Sequence, residues 1–157
     1  FWSFSEYMLH RFVFHGEDYW MRHVPKSRFL YAFHYTIHGI HHCFPMDKYR
    51  LVFPPVPGHI TLYVFFYLPF TSILPLHIAY PFLIGNLIGY QGYDLMHYFF
   101  HHFNAPEGSY LKQLKIYHMQ HHYKFGTIGY GVSSKLWDLV FDTEIVAGKS
   151  QTNANYK

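Results

Sequence analysis

Residues 51–93 read LVFPPVPGHITLYVFFYLPFTSILPLHIAYPFLIGNLIGYQGY and contain no Asp, Glu, Lys or Arg. One bilayer crossing takes about 20 apolar residues, so an uncharged run of this length suits two crossings joined by a tight turn. The first span is predicted from Gly58 to about Leu74 and the second from about Phe82 toward His101, a transmembrane hairpin over about 58–98. Pro75 and Pro81 bracket the turn, and Pro69 is expected to kink the first span. The alternative is a buried hairpin of a soluble protein. Such a hairpin normally keeps a polar stripe on its outer face, and none is present here.

Working outward, every Lys and Arg lies outside this run. Arg11, Arg22, Lys26, Arg28, Lys48 and Arg50 precede it, and the remaining six, from Lys112 to Lys157, follow it. By the positive-inside rule both flanks are cytosolic and the hairpin tip faces the opposite side. A hairpin returns the chain to the membrane face it left, so segments 38–42 and 97–101 should meet on that face.

The flanks carry the chemistry. Ten of the 15 histidines form four short clusters: His10 and His15 as H-x4-H, His38, His41 and His42 as H-x2-H-H, His97 and His101 as H-x3-H, and His118, His121 and His122 as H-x2-H-H again. Residues three or four apart share a helical face, so each of the last three clusters is expected to form one stripe. His10 and His15 do not fit: five steps of about 100° leave them roughly 140° apart on a regular α-helix. A helix end, a break or a π-bulge is needed between them.

The rest of the composition narrows the class. The 157 residues are one domain's worth of chain. They include 17 Phe and 16 Tyr but only 13% charged residues, about half the usual share in a soluble domain. A net charge of +3 is too small and too dispersed to point to nucleic acid, and a single cysteine excludes an internal disulfide. The chain opens on Phe1 with no targeting signal and reads as a fragment of a longer protein, with further membrane segments upstream. After the hairpin, Glu107-Gly108-Ser109 reads as a turn and Tyr110–Tyr123 as a helix. Gly126, Gly129 and Gly131 read as a flexible loop, Ser133 or Ser134 as the cap of a short helix through Phe141, and the tail after Val146 as frayed.

Imidazole is the commonest side-chain metal ligand, and so many converging rings point to a pair of metal ions. An all-imidazole shell suits Zn, Cu, Fe or Ni. The Glu and E-x-x-H ligands of ferritin-like di-iron proteins are absent. Zinc lacks redox chemistry, whereas a metal pair at a membrane face suits oxidation of a lipid chain by O2. Asp94, three residues before His97, is a candidate to orient a ligand from its outer side, with a solvated boundary residue as the alternative. Tyr93 and Tyr98 flank the site. His34 and His102 are read as outer neighbours of the clusters, His23, His59 and His77 as isolated structural residues, and Cys43 as a small packed residue.

The clusters and the text between them resemble the integral-membrane fatty acid hydroxylase superfamily, which includes sterol desaturases and sterol methyl oxidases. The segments His10–His15, HYTIHGIHH (34–42), RLVFPPVP (50–57), GYQGYDLMHYFFH (89–101), GSYLKQLK (108–115) and SSKLWD (133–138) are similar to fatty acid 2-hydroxylases, and RLVFPPVP is the most discriminating of them. The similarity runs from about Glu6 to Thr143. It implies an all-α fold, an integral-membrane helical bundle with a cytosolic histidine-rich helical cap holding a dimetal site. The implied ligands are His10, His15, His38, His41, His42, His97, His101, His118, His121 and His122.

The resemblance further implies two Fe ions, replaceable by Zn on purification, and O2-dependent hydroxylation at carbon 2 of long-chain fatty acyl groups, free or in ceramide. It implies electrons from a b5-type cytochrome and its reductase, and a multi-pass endoplasmic reticulum location, or the cell membrane in a bacterium. No HPGG haem motif occurs in the chain, so the electrons come from elsewhere. The rivals are a sterol-modifying relative and a non-catalytic zinc-binding or metal-transporting membrane protein. Transport sites usually lie at mid-membrane, whereas these clusters sit at the ends of the spans.

Overall fold

A computed structural model describes residues 1–24, 26–51 and 55–146, except the side chains of Asp18 and Pro55. Every regular element among the described residues is helical. Helix α1 covers Trp2–Leu9 and runs on through a π-helical turn, His10–Phe14. Two short 3-10 turns follow, Gly16–Asp18 and Trp20–Arg22. Helix α2 is continuous through Arg28–His34, a π-helical Tyr35–Gly39 and Ile40–Cys43. Its first turn is capped by Ser27, whose hydroxyl accepts the Leu30 N–H.

From residue 55 the uncharged run folds as a helical hairpin, with its turn displaced from the one expected. Helix α3 passes through Pro55–Leu62, a π-helical Tyr63–Tyr67 and Leu68–Ile73. Helix α4 then runs from Leu76 to His102 after a turn at Leu74–Pro75. Pro81 therefore lies inside α4 instead of bracketing the turn. It falls in the second helical turn, where its missing N–H leaves only the His77 carbonyl without a helical partner. Pro69 does not break α3. The helix widens just before it, with the Leu68 N–H reaching back five residues to the Tyr63 carbonyl.

Phe70 and Phe82 pack across the hairpin, with ring centroids 4.6 Å apart. Among the described residues one helical stretch, Val56–Ile73, is long and apolar enough to cross a membrane, fewer than the two spans expected. Ile60, Phe65 and Ile73 on α3 and Ile84, Ile88 and Leu95 on α4 are exposed.

Helix α5 (Tyr110–Tyr123) begins where the sequence places it, after a turn with Gly108 at φ +75° and with the Ser109 hydroxyl accepting the Lys112 N–H. Helix α6 is the short Leu136–Val140, preceded by a Ser134 hydroxyl that accepts the Leu136 N–H. Phe100 of α4, Leu114 of α5 and Val132 of the 124–135 loop form a buried core, with Tyr93, Met96 and Phe99 against it. Helix α1 lies across this core: Trp2 packs on Tyr90 and Tyr93, Phe4 on Trp137, and Tyr7 on Phe141. Residues 52–54 of the segment RLVFPPVP and the tail after Val146 lie outside the described residues.

Candidate metal centre

The irregular spacing of His10 and His15 is resolved by the π-helical turn. The His15 N–H bonds to the His10 carbonyl five residues back, which turns both rings to one side with centroids 5.0 Å apart. The hairpin then brings α2 and the end of α4 together, so that His41 Nε2 lies 3.1 Å from His97 Nε2.

All ten clustered histidines converge, in two sets of five. His10, His15, His38, His42 and His121 form the first set, and His41, His97, His101, His118 and His122 the second. Within each set the candidate ligand atoms lie within 4.8 Å of one another. The expectation of one stripe per cluster is thus refined. In each H-x2-H-H cluster the outer two rings serve one set, while the middle ring crosses to the other. On a helix, residues i+3 and i+4 lie on either side of residue i, about 100° apart. That splay lets His41 and His42, or His121 and His122, face different centres. The two sets touch where the His42 and His122 rings lie 4.2 Å apart.

A line of Nε2 contacts runs through the second set: His41 to His97 at 3.1 Å, His97 to His101 at 3.2 Å, His101 to His118 at 2.9 Å and His118 to His122 at 3.0 Å. In the first set His38 meets His42 at 2.9 Å and His15 meets His121 at 3.1 Å. A ring nitrogen carries either a proton or a lone pair, not both. Nitrogens that each meet two others therefore cannot all be satisfied by single shared protons, whereas lone pairs converging on a cation can.

The spacing fits such a cation. With imidazole–metal bonds of about 2.0–2.1 Å, contacts of 2.9–3.2 Å subtend angles of about 90–105°, while a tetrahedral site needs about 3.3–3.4 Å. Nitrogens this close fit rings gathered to share a cation.

Where burial lowers a ring's proton affinity, it favours the neutral form a ligand needs. It pushes His10, His38 and His118 well below the usual histidine range, and neighbouring rings add to the effect. His41 is lowered to about 4, His121 to about 3 and His42 to about 2, in each case first by burial.

The outer sides of the rings differ between the sets. In the first, His10 Nδ1 donates to the Tyr130 carbonyl at 2.5 Å and His121 Nδ1 to the Ile128 carbonyl at 2.8 Å. His15 Nδ1 lies 3.4 Å from Glu17 Oε1. Such acceptors hold the proton on Nδ1 and leave Nε2 as the lone pair facing the centre. The buried His10 Nε2 has no hydrogen-bond partner among the described residues, which fits an atom that serves as a metal ligand. In the second set the Nδ1 atoms of His41, His101, His118 and His122 are buried without a partner among the described residues.

The loop that offers these carbonyls is tethered, contrary to the flexible loop expected from its glycines. Glu6 accepts the Val132 and Ser133 N–H groups at 2.9 and 2.8 Å, and the Ser133 hydroxyl. Asp138 accepts the Tyr130 and Gly131 N–H groups at 2.9 and 2.8 Å and the Thr143 hydroxyl at 2.8 Å. Glycine is required at 131 because a Cβ there would overlap the Ser134 carbonyl.

Sequence reasoning missed Glu6, Glu17 and Asp138. Glu6 stands one helical turn before His10, and Asp138 ends the SSKLWD segment, so signals existed. Of the other sequence candidates, Tyr93 lies against the His97 ring at 5.5 Å. Asp94 forms no hydrogen bond with a histidine ring among the described residues; the nearest ring of its own helix, His97, aims its Nε2 at His41 and His101. Tyr98 lies against the His102 ring, with centroids 4.6 Å apart, and neither residue belongs to a set. His34 reaches Glu17 and the Phe14 carbonyl rather than a clustered ring. His23, His59 and His77 belong to neither set. Cys43 is exposed, not packed as expected, and also belongs to neither.

Helices that gather ten imidazoles into two adjoining five-membered sets define a histidine-rich protein with a candidate site for a metal pair. The fatty acid hydroxylase family model matches residues 1–143, and the chain belongs to that family. It is 46% identical over 142 residues to the ceramide very long chain fatty acid hydroxylase of Saccharomyces cerevisiae, covering 90% of this chain and 35% of that protein. It is 42% identical over 145 residues to the fatty acid 2-hydroxylase of Mus musculus, covering 92% and 37%. It is 42% identical over 142 residues to a dihydroceramide fatty acyl 2-hydroxylase of Arabidopsis thaliana, covering 90% and 56%. The chain thus spans about a third to a little over half of the length of these curated relatives. A solved structure of full-length scs7p, in which only the hydroxylase domain is visible, matches with TM-score 0.86 and 42% identity over 97% of this chain and 55% of that one.

Proposed function

We propose that the chain is the hydroxylase domain of a membrane enzyme that uses two iron ions and O2 to hydroxylate carbon 2 of long-chain fatty acyl groups, free or in ceramide. The observation that carries this reading is the pair of five-histidine sets in a chain so similar to the ceramide fatty acid hydroxylase of yeast. The ten clustered histidines are the proposed ligands. A bound iron pair would supply the O2 activation needed to oxidise an unactivated C–H bond, a reaction beyond side chains alone.

The chain's own residues perform the remaining tasks. The imidazoles hold the site neutral and buried, and the Tyr130 and Ile128 carbonyls orient two of them. The exposed apolar face of α3 and α4 supports embedding of the hairpin in a membrane, with the histidine sets at its cytosolic end in the endoplasmic reticulum. That position favours presentation of one acyl carbon to the metal pair. Electrons would come from a b5-type cytochrome and its reductase, and zinc would replace iron in purified samples without supporting turnover.

The test is mass spectrometry of sphingolipids from cells expressing the full-length gene. A rise in 2-hydroxy acyl species with the wild type, absent with His41→Ala, is expected. Altered sterols with unchanged 2-hydroxy acyl content would overturn the substrate reading in favour of a sterol-modifying relative. Metal binding with no change in either lipid class would favour a non-catalytic zinc protein. Protease mapping that put His38 and His97 on opposite sides of the membrane would overturn the hairpin.

A further inference from the structure

Glu17 stands two residues beyond His15 on the 3-10 turn Gly16–Asp18, a segment to which the hydroxylation reading assigns no role. One carboxylate oxygen lies 3.4 Å from His15 Nδ1 and the other 2.8 Å from His34 Nε2. His34 Nε2 is also 2.6 Å from the Phe14 carbonyl, so the carboxylate is tied back to the π-helical turn that presents both His10 and His15. Glu17 is about half exposed and borders a cavity of about 250 Å³ that also reaches His15, His38 and His42. A polar replacement at this position therefore needs no repacking of the core.

We propose, resting on the metal-pair reading, that Glu17 is a positioning residue for His15. With the Tyr130 and Ile128 carbonyls, it makes the first set the tighter of the two metal positions. Three of the five rings in that set have an acceptor on their outer side, whereas four of the five in the second set have none among the described residues. An outer acceptor fixes which nitrogen bears the lone pair, holds the ring plane and raises ligand basicity. Loss of one such partner typically costs about 10–100-fold in metal affinity.

The experiment is a titration of the metal-free full chain with Zn(II) alone, followed by calorimetry. The wild type should bind two ions in two steps of unequal affinity, and His121→Ala should delete the tighter one. Glu17→Gln should weaken the tighter step by about 10-fold or more and leave the weaker step and the melting temperature of the metal-free chain unchanged. Glu17→Asp should recover part of the loss. Unchanged affinities in Glu17→Gln, or equal loss in both steps, would overturn the proposal while leaving the metal pair standing. A wild-type chain that binds no Zn(II) would overturn the metal pair itself.

Discussion

The two histidine sets have the same composition and opposite supports. The second is built on regular helices: His97 and His101 on the 27-residue α4, and His118 and His122 on the 14-residue α5, with His41 crossing from α2. A regular i, i+4 pair is aimed by the backbone alone. The first set draws His10, His15 and His38 from π-helical segments or their ends. Its rings are steadied from outside, by two loop carbonyls and by Glu17. Two of the three rings with an outer acceptor, His10 and His15, come from the π-helical turn and its end, and the third, His121, lies on the regular α5.

The sharpest way to break this comparison is to remove a crossing ligand. His41→Ala is expected to abolish hydroxylation and to lower metal content from two ions per chain to one, and His118→Ala to do the same, because both residues lie in the second set. His42→Ala should also cost one ion, but the other one. Metal analysis combined with a lipid hydroxylation assay checks this, and full activity in His41→Ala or His118→Ala would refute a shared dimetal site.

A smaller effect is expected from the tether. Asp138→Asn weakens the acceptor for two buried N–H groups and the Thr143 hydroxyl. It should cost on the order of 3 kcal/mol in a denaturant titration. It should also loosen metal at the first set more than at the second, since the carbonyls of the loop that it holds bond to His10 and His121 of that set.

Acid is resisted by rings in both sets. Unfolded histidines take up protons near pH 6.5, whereas folded His41, His121 and His42 resist down to about 4, 3 and 2, held low chiefly by burial. Below about pH 6.5 the unfolded chain therefore binds more protons. The stability of the metal-free protein is complete above that value and falls as the pH drops, by about 1.4 kcal/mol per pH unit for each such ring. Thermal melts of the metal-free chain from pH 7 to pH 5 should shift steadily downward; a flat profile would contradict the buried neutral clusters. The smallest effect is expected from Asp94→Asn, which should leave metal content unchanged because no histidine ring bonds to Asp94 among the described residues.

Much of this was legible in the chain. The uncharged run gave the hairpin, Tyr110–Tyr123 gave α5, and the misfit of His10 with His15 announced an irregular helix. Three things were not legible. The crossing of His41 and His121 depends on where the second centre lies, which no single helical wheel contains. Glu6 acts on Val132, and the loop that Asp138 holds presents its Tyr130 carbonyl to His10, contacts between residues more than a hundred positions apart. Pro81 marked a break that the helix absorbed, because near a helix start one lost hydrogen bond is tolerable.

The most direct measurement is anomalous diffraction from crystals of the full chain soaked in a single metal. Two peaks per chain are predicted, one among His10, His15, His38, His42 and His121 and one among His41, His97, His101, His118 and His122. His41→Ala should erase the second peak and His42→Ala the first. A single peak, or loss of the same peak in both variants, would contradict the crossed pair of centres.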